Sequence, residues 1–307
     1  MKTRIEFIRN ILFLILLGVF SSHVSGQEAP ESYEEVIPGT DLSFQMIQIP
    51  GGEYDLRINN KEYTVKLDPY WIATHELTHD IFSAFDQDES ISRDVTVDAI
   101  TRPSPQYVDL TWGMGREGGF PANSMSLYSA IMVSKWLYDK TGHFYRPPTE
   151  AEWQAACMAG KNEDENLRKI ALFKGNSGDK YHKVGSRAPD QLGLYDMLGN
   201  VAEWTVDAYE EDYQAVIDQS SIENPMAIPS SRRTTITLKG GHYQTPAKEL
   251  SCELRIKSEN WWNQRDPQIP KSRWWYTDAP FTGIRLVRPV EQPSKEDIEA
   301  YYDKFLN

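Results

Sequence analysis

The sequence predicts an irregular α+β fold with little regular secondary structure. Residues near the N-terminus alternate between apolar and polar, as in short strands, while two central segments have helical periodicity. The C-terminal half is dominated by turn residues. Nine tryptophans and sixteen tyrosines supply ring area for a core built largely from loops.

The strand pattern begins in residues 44–54, where apolar and polar side chains alternate up to a Pro-Gly-Gly turn. Residues 63–67 alternate again, which predicts that these two segments form antiparallel strands. A third strand is predicted over residues 70–76.

Two helices are predicted in the middle of the chain. Residues 126–140 carry apolar side chains at helical spacing, and Gly142 provides a stop. Thr149 and Glu152 form the capping-box pattern of a second helix that ends at Gly160.

The N-terminal segment has the features of a secretory signal. Residues 1–26 contain a basic start, an apolar run over residues 11–20, and small residues before Gln27. The apolar run is too short to cross a bilayer, so we expect cleavage and export to the periplasm, the exterior or the cell surface. An uncleaved membrane anchor is the alternative.

The rest of the chain divides into three parts. Residues 27–42 are rich in Glu and Pro and are expected to form a disordered lead-in. Residues 43–290 are predicted to form one domain, and residues 291–307 a terminal helix capped by Ser294.

Charge and cysteine content limit the possible partners and compartment. The formal net charge is −13, which makes nucleic acid and anionic membranes poor partners. Cys157 and Cys252 are the only cysteines, and in an exported chain they most simply form one structural disulfide.

An acidic loop is the most informative local feature. Asp196 and Glu203 flank a tight bend at Gly199 and Asn200, and the carbonyls of Gly199 and Val201 add oxygen donors. Oxygen ligands of this kind suit calcium. The alternative is a metal-free turn whose carboxylates accept backbone N–H bonds.

Six segments occur in the order found in one known family, and the chain resembles the formylglycine-generating enzyme (sulfatase-modifying factor) family. The resemblance implies the family's irregular α+β fold, which is related to C-type lectin-like domains. It also implies calcium at the acidic loop, and a second calcium site near Asn176, Ser177 and Asp179. The segments are 49–54, 74–78, 146–153, 193–205, 239–241 and 283–285.

The resemblance fails at the copper site. Active members hold copper(I) with two cysteines after the Gly-Gly pair, because soft thiolates select that ion. The first position corresponds to Thr245, and residues 246–250 contain no thiol. Cys157 and Cys252 match a structural disulfide of the family, so we expect no copper and no formylglycine formation.

Residues 75–79 read His-Glu-Leu-Thr-His, the pattern of zinc metalloproteases. That chemistry needs both histidines on one helix face. The preceding residues are strand-like and Thr78 suits a helix cap, so the match is interpreted as accidental.

His242 is the candidate catalytic residue, because it follows the Gly-Gly pair and titrates near neutral pH. A hydrogen-bonded structural histidine is the alternative. Aromatic and polar residues downstream suit a sugar or a peptide, although some of these rings must fill the core. The predicted binding cleft comprises His242, Tyr243, Thr245, Arg255, Asn260, Trp261, Trp262, Trp274 and Trp275.

The sequence therefore favours an exported, calcium-stabilised, catalytically degenerate relative of these enzymes that binds a protein or glycan ligand at the cell surface. An enzyme that uses His242, and a structural component of a cell-surface assembly, are the two alternatives.

Overall fold

The computed structural model describes residues 30–90, 109–161, 166–231, 233–263 and 276–306. The predicted signal segment lies outside these ranges. The described residues form strands and helices in a mixed arrangement, which confirms the α+β prediction.

Strands dominate the N-terminal part, and helices the middle. The strands are β1 (Ser32–Val36), β2 (Ser43–Ile49), β3 (Gly52–Ile58), β4 (Lys61–Leu67), β5 (Tyr70–Ala73), β6 (Ala202–Ala208), β7 (Ile236–Lys239), β8 (Ile256–Lys257), β9 (Thr282–Gly283) and β10 (Val287–Pro289). The helices are α1 (His79–Gln87), α2 (Leu127–Thr141), α3 (Glu150–Gly160), α4 (Leu167–Ile170), α5 (Gln214–Gln219) and α6 (Lys295–Leu306), with a 3₁₀ turn at Asn260–Asn263.

The first sheet has the order β1-β2-β5-β10 and is antiparallel throughout. Its first strand corrects the expectation of a disordered lead-in over residues 27–42, because Ser32–Val36 pairs along β2. The Glu35 carboxylate accepts a 2.6 Å hydrogen bond from the Tyr145 hydroxyl, and Ile37 is fully buried. These long-range contacts outweigh a local composition typical of disorder.

The expected antiparallel pairing of residues 44–54 with residues 63–67 is confirmed only for Gly52–Tyr54, which pair with Val65–Leu67. Residues 44–54 are divided at Pro50 and Gly51 into β2 and β3, and β4 pairs with β3 in a separate hairpin. Pro50 cannot donate to a ladder, and a Cβ on Gly51 would stand 2.7 Å from the Pro69 ring. The chain therefore changes sheet at this point.

Both predicted helices are confirmed with their caps. Ser126 caps α2, and Gly142 ends it in the left-handed conformation at φ 75°. Thr149 and Glu152 form a reciprocal capping box on α3, and Arg146 binds the same Glu152 carboxylate through two 2.7 Å bonds.

The terminal helix α6 is also as predicted. The Ser294 hydroxyl accepts from the backbone N–H of Asp297 at its start. Ile298 and Tyr302 are buried against Phe144 and neighbouring residues of α2.

The second sheet, β8-β7-β6-β9, positions the candidate site. β6 and β7 are antiparallel, whereas β6 and β9 are parallel. β7 runs directly into the Gly240-Gly241 turn, and Phe281 immediately precedes β9. The end of one strand and the start of another therefore lie beside His242.

No helix within the described ranges is both long enough and apolar enough to cross a membrane.

Candidate functional site

A tight turn after β7 presents His242. Gly240 and Gly241 have φ values of 86° and 72°, which only glycine adopts without strain. A Cβ on Gly241 would stand 2.5 Å from the Leu250 side chain. The Gly-Gly pair is thus required both by backbone conformation and by close packing.

The His242 ring lies flat on an aromatic neighbour. Its centroid is 4.3 Å from that of Phe281, with 20° between the ring planes, and Nδ1 accepts from the Gln244 N–H at 3.3 Å. Burial lowers the pKa of His242 to about 4, so the ring is neutral at pH 7. No carboxylate among the described residues hydrogen-bonds to it.

Thr245 closes the turn with its side chain. Its hydroxyl accepts a 2.9 Å bond from the His242 N–H, and its own N–H donates 2.8 Å to the His242 carbonyl. The side chain is buried. The hydroxyl therefore holds the backbone conformation of the turn.

The disulfide between Cys157 and Cys252 is present, as expected. The two Cα atoms are 5.7 Å apart, and the bond joins α3 to the segment that follows the His242 turn. No free cysteine remains in the described part of the chain.

The predicted cleft residues have three different environments. Tyr243 packs against Tyr181, and Trp262 packs edge-on against Phe281. Both side chains are buried and support the residues around His242 from inside the protein. Asn260 and Trp261 are exposed. Trp274 and Trp275 lie outside the described residues.

Arg255 forms an ion pair with Glu150, the first residue of α3. Its guanidinium donates to both Glu150 carboxylate oxygens, at 2.7 and 2.9 Å, and covers the Tyr209 ring. The guanidinium is buried. The charge of Arg255 is therefore already paired inside the protein, and its place in the binding cleft stays a prediction.

The acidic loop surrounds a buried arginine. Arg285 donates to both oxygens of Glu203 at 2.8 to 3.0 Å, and Trp153 Nε1 donates to one of them at 2.6 Å. Both carboxylate oxygens of Glu203, which would have to bind a cation, therefore already accept hydrogen bonds. Arg285 lies in a segment that the resemblance identified, but nothing local in the sequence predicts this contact.

Asp196, unlike Glu203, has a carboxylate oxygen that accepts no hydrogen bond. Oδ2 accepts from the Gly185 N–H at 2.6 Å, whereas Oδ1 is buried without a hydrogen-bond partner. Burial raises the pKa of the Asp196 carboxyl to about 6. An orphaned buried oxygen suits a cation ligand, but a calcium ion would have to compete with Arg285 for Glu203.

Glu76, the glutamate of the zinc-protease pattern, is a further carboxylate in this cluster, which the sequence did not predict. It accepts from the Asn200 side chain and, at 3.1 Å, from the Val201 N–H. Burial, followed by the charges of Asp196 and Glu203, raises the pKa of Glu76. Within the described ranges, no three His, Cys, Asp or Glu side chains are arranged to hold a metal ion.

The second proposed calcium group is engaged in turn formation. The Asn176 side chain bonds to the backbone at both ends, through the Phe173 N–H and the Ala171 carbonyl. The Ser177 hydroxyl donates to the Tyr243 carbonyl and accepts from the Asp179 N–H. Calcium at either position stays a prediction.

The zinc-protease pattern does not form a metal site. His75 stacks on Tyr195 in the segment before α1, whereas His79 is the first residue of that helix. His79 Nε2 lies 2.8 Å from the Asn123 side-chain oxygen. The two imidazoles therefore have separate partners, as the capping role of Thr78 predicts.

The family model for the sulfatase-modifying factor enzyme 1-like domain matches residues 36–289. The formylglycine-generating enzyme of Thermomonospora curvata is 21% identical over 261 residues, covering 66% of this chain and 84% of that protein.

A second group of relatives has a different name. The serine/threonine-protein kinase Pkn1 of Chlamydia trachomatis is 25% identical over 242 residues, or 73% of this chain. The chain spans only 37% of that protein's length. The kinase name therefore describes a much longer protein.

Solved structures show the same fold. PvdO from Pseudomonas aeruginosa superposes with a TM-score of 0.62 at 18% identity, covering 86% of this chain and 100% of that one. The Treponema denticola variable protein 1 gives 0.61 at 21% identity, covering 85% and 99%. Since the family model covers most of the chain, this protein belongs to the sulfatase-modifying factor enzyme 1-like domain family.

Proposed function

We propose that this protein is an exported member of the family that does not make formylglycine and instead binds a peptide or glycan on the surface around His242. The observation that carries the first half is the disulfide, which uses both cysteines of the chain. The flat stack of His242 on Phe281 supports the second half.

The absence of oxidase chemistry follows from the ligands that copper(I) requires. A soft ion is stabilised by thiolates, and a threonine hydroxyl is a hard and protonated substitute. Thr245 also uses its oxygen to accept the His242 N–H, so a metal at this position would disrupt the turn.

The test is an aldehyde assay. The purified protein is incubated with copper and a Cys-x-Pro-x-Arg peptide, alongside the Thermomonospora curvata enzyme as a positive control. We expect no aldehyde from this protein. Turnover, and above all turnover that persists in Cys252→Ser, would refute the argument from thiolates.

The binding role is favoured over a His242-based enzyme by the environment of the ring. A general base is normally oriented by a carboxylate or a carbonyl partner. Here the ring face is covered by Phe281, and Nδ1 accepts from a backbone N–H. This geometry suits an aromatic contact surface.

We also propose calcium at the acidic loop, and the one supporting observation is that Asp196 Oδ1 is buried without a hydrogen-bond partner. Gly199 and Val201 carbonyls would complete such a site, and Glu203 would join only by releasing Arg285. The second calcium site, at Asn176, Ser177 and Asp179, stays part of the proposal, although no buried oxygen of these residues lacks a hydrogen-bond partner.

A further inference from the structure

Trp112 combines two unusual properties. Its side chain is 52% exposed, and its backbone has φ 53°, in the left-handed region. A bulky residue in that region is strained, and an exposed indole gains little from burial. A strained, exposed, apolar residue is the kind of outlier from which a functional role is inferred.

The loop that carries Trp112 is held firmly. The Asp80 carboxylate accepts from the N–H groups of Gly118 and Gly119 at 3.0 and 2.6 Å. The Tyr181 hydroxyl donates 2.7 Å to the Gly115 carbonyl. The indole is therefore presented by a preorganised loop, which reduces the entropy lost when a ligand binds.

A second exposed indole belongs to the 3₁₀ turn Asn260–Asn263. Trp261 is 48% exposed, and its Nε1 donates to the Glu259 carboxylate, which fixes the ring. The adjacent Trp262 packs against Phe281, which itself stacks on His242.

Both indole-bearing segments contact residues 277–281. The Trp262 carbonyl accepts from the Asp278 N–H at 2.6 Å. The Asn123 side-chain amide joins the other segment to the same residues, since it donates to the carbonyls of both Leu110 and Pro280. Leu110, two residues before Trp112, and Trp262, next to Trp261, are therefore both connected to the segment that bears Phe281.

We infer that Trp112 and Trp261, with His242 and Phe281, form one surface for a neutral glycan. This rests on the binding role proposed above and names its ligand class and two of its contacts. Indole faces stack on sugar rings, while neighbouring polar side chains such as Glu259 and Asn260 bond to hydroxyl groups. The net charge of −13 disfavours sulfated or uronic glycans.

The experiment uses the mature chain and isothermal titration with neutral hexasaccharides of glucose, mannose, xylose and N-acetylglucosamine. A heparin hexasaccharide and a random peptide pool serve as the anionic and peptide probes. The variants are Trp112→Gly and Trp261→Ala. Ile222→Ala and Met158→Ala remove exposed apolar side chains elsewhere and serve as matched controls.

We expect one neutral saccharide to bind with a stoichiometry of one per chain. Each tryptophan variant should raise Kd roughly tenfold, as loss of one stacked ring predicts. The control variants should leave Kd unchanged. Trp112→Gly should also keep or raise the melting temperature, because glycine relieves the positive φ. Lost binding without lost stability separates contact from structural support.

Four results would overturn the inference. Unchanged Kd in both tryptophan variants, with loss of binding in Phe281→Ala, would restrict the site to His242 and leave the proposed function intact. Two independent binding events per chain would exclude a single surface. Binding of peptides alone would exclude a glycan, and binding of no probe would overturn the proposed function as well.

Discussion

Arg285 and Glu203 form a buried ion pair in which one guanidinium binds both oxygens of the carboxylate. Neither side chain contacts solvent to any extent. Of the two carboxylates that the sequence assigns to a cation, Glu203 is therefore already neutralised from within the chain.

Removing one partner of this pair should destabilise the fold strongly. We expect Glu203→Gln to lower the free energy of unfolding by about 3 to 5 kcal/mol, because Arg285 would remain buried without its counter-charge. Urea denaturation measures the change. Glu223→Gln, which breaks the exposed Lys66 pair, is the control and should leave the midpoint nearly unchanged. A small effect in Glu203→Gln would mean that Glu76 or Asp196 replaces the lost charge.

Lys239 gives the fold a pH dependence in the alkaline range. Burial lowers the pKa of its ammonium to about 8, from about 10.5 in an unfolded chain. Between these values the unfolded chain binds more protons, so the free energy of unfolding should rise with pH, by about 3 kcal/mol at most. In urea denaturation, the Lys239→Met variant should show no such rise in the free energy of unfolding between pH 7 and pH 10. If the free energy of unfolding rose equally with pH in the wild type and the variant, the lowered pKa of Lys239 would be contradicted.

The disulfide should contribute substantially to stability. It closes a loop with a sequence separation of 95 residues. In the chain-entropy model, that closure is worth about 4 to 5 kcal/mol. Reductant should lower the melting temperature of the wild type and leave a Cys157→Ser/Cys252→Ser variant unaffected. A wild type that melts at the same temperature with and without reductant would show that the bond adds nothing.

Calcium at Asp196 predicts a response to chelation. An ion that binds only the folded chain stabilises it by mass action, so EDTA should lower the melting temperature and calcium should restore it. Asp196→Asn keeps an oxygen for the Gly185 N–H and should lose the response. A melting temperature insensitive to EDTA would remove calcium from this loop.

Local signals predicted local structure well. Ser126, Gly142, Thr149 and Glu152 act through neighbours within one helical turn, so the ends of α2 and α3 were readable directly. The Cys157–Cys252 bond followed from the small number of cysteines and from the family resemblance.

Contacts between distant residues were not predictable in the same way. Glu203 and Arg285 are 82 positions apart, and a carboxylate beside a bend looks the same in sequence whether it binds an ion or a guanidinium. Similarly, the glutamates of residues 30–36 resemble a disordered tail until Glu35 meets Tyr145 across 110 positions. The role of Phe281 beneath His242 had no local signal.

Residues 282–289 have a consequence for the order of folding. This short stretch supplies β9 and β10, which are edge strands of two different sheets, and Arg285 between them. A chain emerging from the ribosome can therefore complete neither sheet, nor neutralise Glu203, until almost all of the domain has been synthesised. Such dependence on late, non-local contacts slows folding.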